Sequence, residues 1–168
     1  MAITVVPRPV TVSWSDFSTV DSLPSDEDAH IDMGYEVENK NFRRVGGQFM
    51  VAETLEVRVK PLAKVLRSAS QTDTLLAHEQ GHYDIGILAG RALARELASL
   101  HAATPAALGL AMRSCFTLHT VTRLDPIQKK YDKDTGHGTN ATEQARWAGL
   151  ISAALGAVAA VQLDNLPL

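Results

Sequence analysis

The spacing of polar and apolar positions changes along the chain, and the changes mark its elements. Residues 54–60 alternate strictly, with Leu55, Val57 and Val59 on one side and Glu56, Arg58 and Lys60 on the other. That predicts a half-buried strand, ended by Pro61. Weaker alternation predicts strands at 10–14, 30–38 and 47–51, the last opening from a Gly46-Gly47 turn. These strands are expected to form a small antiparallel sheet with one wet face. Residues 21–28 are acidic and turn-rich and read as a surface loop, without the spacing of a calcium-binding loop. From about residue 72 to 101 good helix formers run without a proline, and Ser70 with Asp73 suggests a capping pattern at the start. Thr104-Pro105 opens a helix expected to reach about Arg123, and Asp125-Pro126 restarts or kinks it through Lys130-Tyr131. Residues 132–138 read as a loop, and Asn140 with Glu143 caps a last, apolar helix at about 140–162. Strands followed by helices, with no repeat or linker, imply one α+β domain over residues 1–168.

Composition removes several classes of function. A net charge of -3 provides no basic footprint and an aromatic content of 5% few stacking platforms, which argues against nucleic-acid binding. Cys115 is the only cysteine, so neither an intrachain disulfide nor a cysteine-rich zinc set is available; among Met112, Phe116 and Leu118 it reads as a small core residue. Residues 1–9 lack the charged and apolar regions of a signal peptide, so the sequence as it stands reads as cytoplasmic. Residues 147–163 are apolar, but alanine and glycine dominate them and their length is borderline. They are expected to form a buried or partner-facing helix, through which the chain could form an oligomer, rather than a membrane span.

The chemistry concentrates in one stretch of the long helix, His78-Glu79-Gln80-Gly81-His82. At about 100° per residue the two histidines stand one turn apart on one face, which suits two imidazoles converging on one ion. Ile85 and Ala89 continue that face, so it turns inward. Glu79 lies beside it, where a general base acting on a zinc-activated water belongs. Gly81 and Gly86 would let a neighbour approach closely. Asp84 points away from the histidines and reads as structural, pairing with a basic side chain.

Catalytic zinc takes three protein ligands, so two histidines need a partner. Glu96 lies about 21 Å along the helix from His82 and is out of reach, as is His101. No glutamate stands between Glu96 and Glu143, and Ile85 and Leu88 occupy the positions where an extended motif would need glycine and histidine. His119, His137, Asp125, Asp132 and Asp134 remain. His119 sits among apolar residues, as a packed histidine would. His137 lies between Gly136 and Gly138, which permit close approach, with carboxylates nearby. His30, beside the acidic stretch, reads as a surface residue.

The stretch from His78 to Ile85, with Ala89-Gly90-Arg91 behind it, resembles the bacterial family known as domain of unknown function 922. Trp14-Ser15-Asp16-Phe17 resembles that family's opening motif, and Tyr131-Asp132, Thr135, His137-Gly138, Gln144 and Trp147 its closing one. The family is regarded as predicted zinc-dependent proteases and its members are often exported. The resemblance implies a zincin-like α+β fold, a small sheet packed on the His-Glu-x-x-His helix with further C-terminal helices. It points to His137 as the third zinc ligand beside His78 and His82. The expected activity is hydrolysis of a peptide or protein substrate with Glu79 as general base and Tyr131 as a hydrogen-bond donor to the oxyanion. The rival expectations are a zinc-containing binding module without turnover and a hydrolase of a non-peptide amide.

Overall fold

The computed structural model describes residues 4–7, 10–23, 27–38, 41–52, 54–157 and 159–168. Residues 24–26 of the acidic stretch lie outside the described residues. The chain is α+β, as expected. Its first half contains β1 (Thr4–Pro7), β2 (Phe17–Val20), β3 (Ala29–Glu38), β4 (Phe42–Val45), β5 (Gln48–Val51) and β6 (Glu56–Leu66). The second half contains α1 (Asp73–Ser99), β7 (His101–Ala102), α2 (Pro105–Thr117), α3 (Leu124–Thr135), α4 (Ala141–Gly156) and a small hairpin of β8 (Gln162–Leu163) and β9 (Leu166–Pro167).

Strand β6 is the spine of the main sheet. Its inward residues Val57, Val59 and Val65 are fully or almost fully buried, which is what the alternating pattern demands. On one side it pairs with β3, antiparallel along the whole length of that strand. On the other side it pairs parallel with β1 as far as Val59 and parallel with β2 from Ala63 onward. The sheet is therefore mixed and not antiparallel throughout. Pro61 does not end the strand: β6 runs on to Leu66, with Pro61 opposite Met33 of β3. The strand expected at 10–14 is absent. Val12 is instead pinned by its backbone N–H, which donates to Gln80 Oε1 at 2.8 Å, and a short 3-10 turn follows at Trp14–Asp16.

Helix α1 is capped by Thr72 and not by the expected Ser70, the Thr72 side chain accepting from the Leu75 N–H. The helix is buried on nearly every face because it runs between the sheet and the other helices. Tyr83 and Ile87 pack on Val59, Ala63 and Val65 of the sheet. Ile85, Leu88 and Ala92 pack on Ile127 and Tyr131 of α3 and Trp147 of α4. Two hydroxyls fasten the helix to the sheet: Tyr83 Oη donates to the Val59 carbonyl at 2.9 Å, and Tyr35 Oη to the Gly86 carbonyl at 2.8 Å. A Cβ at Gly81 would overlap the Tyr131 hydroxyl and lie 2.7 Å from Tyr131 Cζ, so only glycine lets α3 come this close. Asp84 pairs with an amide and not with a basic side chain, accepting from Gln80 Nε2 at 2.7 Å.

The expected helix to Arg123 ends at Thr117 and passes through a π turn, Leu118–Thr122, into α3. Residues 132–135, expected in a loop, are the last turn of α3; Gly136, at φ 55°, ends the helix in the left-handed conformation. Helix α4 opens at Asn140, which accepts from the Glu143 N–H, and stops at Gly156 rather than near Gln162. Its Trp147 and Ile151 are buried within the chain's own core. No helix among the described residues is long and apolar enough to cross a membrane.

Candidate metal centre

Two helices build the site. Helix α1 presents His78, Glu79 and His82. Helix α3 presents Gln128, Tyr131, Asp132 and Thr135, whose spacing of three and four residues places them on one stripe facing α1. His78, Glu79, Tyr131 and Thr135 are each at most 2% exposed.

The tautomers of both histidines follow from their partners. The Tyr131 hydroxyl has one proton, which it donates to the His78 carbonyl oxygen at 3.1 Å. It therefore accepts from Gln144 Nε2, at 2.6 Å. That orientation of the amide leaves Gln144 Oε1 facing His78 Nδ1 at 3.2 Å. An amide oxygen only accepts, so Nδ1 carries a proton, and in the neutral ring Nε2 is the nitrogen with the free lone pair. Gln128 does the same for His82: its Nε2 donates to the His82 carbonyl at 3.1 Å, and its Oε1 accepts from Nδ1 at 2.7 Å.

The two bare nitrogens meet a carboxylate. The Nε2 atoms of His78 and His82 lie 3.1 Å apart. Asp132 Oδ1 lies 3.2 Å from the first and 2.7 Å from the second. With Nδ1 occupied on both rings, the neutral imidazoles turn only acceptors toward one another and toward the buried Asp132 Oδ1. Three lone pairs converging in this way suit a cation. Tetrahedral zinc, with bonds of about 2.0–2.1 Å, keeps its ligand atoms roughly 3.3 Å apart, close to the separations here. Two imidazoles and a carboxylate are also zinc's ordinary donors, so the residues fit the ion.

Without an ion, the three groups are coupled through protons: His82 can carry a charge that the Asp132 carboxylate balances. Burial lowers the His78 imidazole. Burial acts the same way on His82, but its contacts with Asp132 outweigh it and the net direction is up. Burial alone would raise Asp132; the two histidines hold it well below the usual carboxylate range. Glu79 is pushed up to about 7, chiefly by burial, with His82 and His30 opposing. Its Oε2 is buried and has no hydrogen-bond partner.

The trio opens into a cleft with two lobes. One, of about 310 Å³, is lined by His78, Glu79, His82, Asp132 and His137 among others. The second, of about 370 Å³, shares Glu27, His30, His82 and Asp132 with the first and continues along β3 past Met33.

Of the residues singled out from the sequence, the structure brings His78, Glu79 and His82 together at the base of the cleft. His137 stands at its rim: the side chain is 54% exposed, and Nδ1 lies 3.7 Å from both Asp132 Oδ1 and Glu27 Oε1. Asp132 is the carboxylate that meets both histidines. Asp134 faces elsewhere, accepting from Lys130, Arg146 and Trp147. Tyr131 lies against the histidines, stacked on His78 with ring centroids 4.8 Å apart, and its hydroxyl is committed to the His78 carbonyl and Gln144. His30 is a cleft-wall residue and not a plain surface one, with Nδ1 3.0 Å from Glu27 Oε2. Gln128 was not singled out from the sequence. Its signal was present, since it precedes Asp132 by one helical turn, but only once 132 is known to be helical.

The fold and the site together define an α+β chain organised around a buried His-Glu-x-x-His helix, with a His, His, Asp donor set. Residues 60–138 match the family described as bacterial protein of unknown function (DUF922). The chain is thus similar to the family that its motifs resemble, over a span that contains His78, Glu79, His82, Asp132 and His137 and leaves out Glu27 and Gln144. No curated protein and no solved structure matches it.

Proposed function

We propose that this chain is a zinc-dependent metallopeptidase of zincin-like build, in which His78, His82 and Asp132 hold the ion and Glu79 is the general base. The observation that carries the reading is the convergence of His78 Nε2, His82 Nε2 and Asp132 Oδ1 beside a buried carboxylate with an unpartnered oxygen. Zinc bound there supplies a Lewis acid that polarises a carbonyl group and makes water more acidic. The chain's own residues do the rest. Glu79, buried beside the trio with its Oε2 unpartnered, is placed to take a proton and deliver it to the leaving amine. Gln128 and Gln144 hold the imidazoles in the ligating tautomer, and Tyr131 is a positioning residue for His78. The two lobes on either side of the trio suit a substrate that runs through the cleft as a chain. His30 and His137 line its wall as polar contacts for that substrate.

The test is a pair of measurements. His82→Ala should remove one zinc equivalent from the purified chain. Glu79→Gln should keep that zinc and lower turnover of a mixed peptide library by at least about 100-fold. A parent chain that binds zinc at the trio but cleaves no peptide refutes the peptidase reading and favours a binding module. Retained activity in Glu79→Gln removes Glu79 from the mechanism.

A further inference from the structure

A second donor cluster lies at the far end of α1. Glu96 stands fourteen residues beyond His82, about 21 Å along the helix axis. Facing it are Cys115 of α2 and His119 of the π turn. One donor atom from each of Glu96, Cys115 and His119 lies within 4.8 Å of the other two. Cys115 is 3% and His119 2% exposed. The Glu96 side chain is 38% exposed, which leaves a way in from solvent.

The cluster is more than an ion pair. Glu96 Oε2 lies 2.6 Å from His119 Nε2, which satisfies one ring nitrogen. The other, Nδ1, is buried with no hydrogen-bond partner, a cost that a plain glutamate–histidine pair does nothing to offset. Thiol, imidazole and carboxylate together are the donors of a borderline transition ion, and are foreign to magnesium and calcium, which take oxygen. His119 is also carried on a π turn, a distortion that often accompanies functional sites.

We propose that Glu96, Cys115 and His119 form a second transition-metal site, of the zinc and cobalt class, separate from the His78–His82–Asp132 centre and independent of whether that centre hydrolyses anything. On binding, the Cys115 thiol releases its proton to solvent and the thiolate ligates the divalent ion.

Cobalt(II) is the probe. Cys115 is the only cysteine in the chain, so a thiolate-to-cobalt charge-transfer band can arise nowhere else within it. Titration of the full chain with cobalt(II) should reveal two saturable equivalents, one of them accompanied by that near-ultraviolet band. Asp132→Ala should lose the other equivalent and keep the band; Cys115→Ser should lose the band and keep the other equivalent. A parent chain that takes up a single equivalent without the band overturns the proposal, and this holds even if Cys115→Ser fails to fold. A band that disappears in folded Asp132→Ala overturns the claim that the two sites are separate.

Discussion

Replacing Gln128 and Gln144 by leucine tests the least visible part of the site. Each glutamine's amide oxygen accepts its histidine's Nδ1 proton, at 2.7 Å on His82 and 3.2 Å on His78. Leucine keeps the bulk and removes the acceptor. The imidazole can then place its proton on Nε2, which blocks the lone pair aimed at the ion, or rotate away from Asp132. Losing such an outer partner typically lowers metal affinity by about 10–100-fold, or roughly 1.4–2.7 kcal/mol. The two histidines lie 3.1 Å apart and share Asp132, so the two losses are coupled, and the double variant should lose more than either single variant. Gln128 has the shorter contact and a second bond to the His82 carbonyl at 3.1 Å, and its loss should be the larger. The assay is a zinc titration against a competing chelator on variants shown to be folded by circular dichroism. Gln128→Glu is the control: it keeps an acceptor for Nδ1 and should retain more affinity than Gln128→Leu. Leucine variants that bind zinc as tightly as the parent would refute the tautomer argument.

Two further predictions use the same protein. In the same chelator titration, Asp132→Ala should lose zinc affinity far more than His137→Ala, because Asp132 Oδ1 lies 2.7 Å from His82 Nε2 while His137 is at the rim; the reverse order would make His137 the third ligand. The metal-free parent should lose stability relative to Glu79→Gln as pH rises. Glu79 is raised from 4.5 to about 7 in the fold, so its contribution is complete below about pH 4.5 and is lost as pH rises through 7, by an amount growing to roughly 3 kcal/mol. Urea midpoints of both proteins between pH 4 and 8 measure this, and a difference that does not vary with pH would refute it.

The elements that were legible in the sequence are those whose signal is local. Alternation at Leu55, Val57 and Val59 located β6, Thr104-Pro105 opened α2, and Asn140 with Glu143 opened α4. What was not legible depends on partners distant in sequence. Pro61 reads as a terminator, yet β6, paired with β3 on both sides of it, runs on to Leu66. The parallel pairing of β1 and β2 is likewise a property of where the chain returns, and no residue in either strand announces it. Residues 10–14 alternate as a strand does, yet they lie beside α1, where Gln80 takes the Val12 N–H that a sheet would have used.

The same distinction explains the site. His78, Glu79 and His82 are one motif on one helix, and their joint orientation follows from 3.6 residues per turn. The third donor comes from another helix, and its identity turned on where that helix ends. Asp132-Lys133-Asp134-Thr135-Gly136 reads as a loop because aspartate, threonine and glycine favour turns. In the structure those residues complete α3. Tyr131 and Thr135 are fully buried against α1, and the tertiary contact outweighs weak local propensity. Extending the helix by that turn changes the chemistry. It moves Asp132 from a flexible segment onto the stripe shared with Gln128 and Tyr131, one turn from Gln128 and directly over the two histidines. It also moves His137 past the helix end, into a left-handed residue at φ 52° whose side chain reaches only the rim. A four-residue shift of a helix boundary therefore puts an oxygen donor at the centre and a nitrogen donor at the rim. Were an ion held there, the carboxylate would lower the net charge of the trio by one relative to three neutral histidines, and His137 would stand at the rim of the cleft.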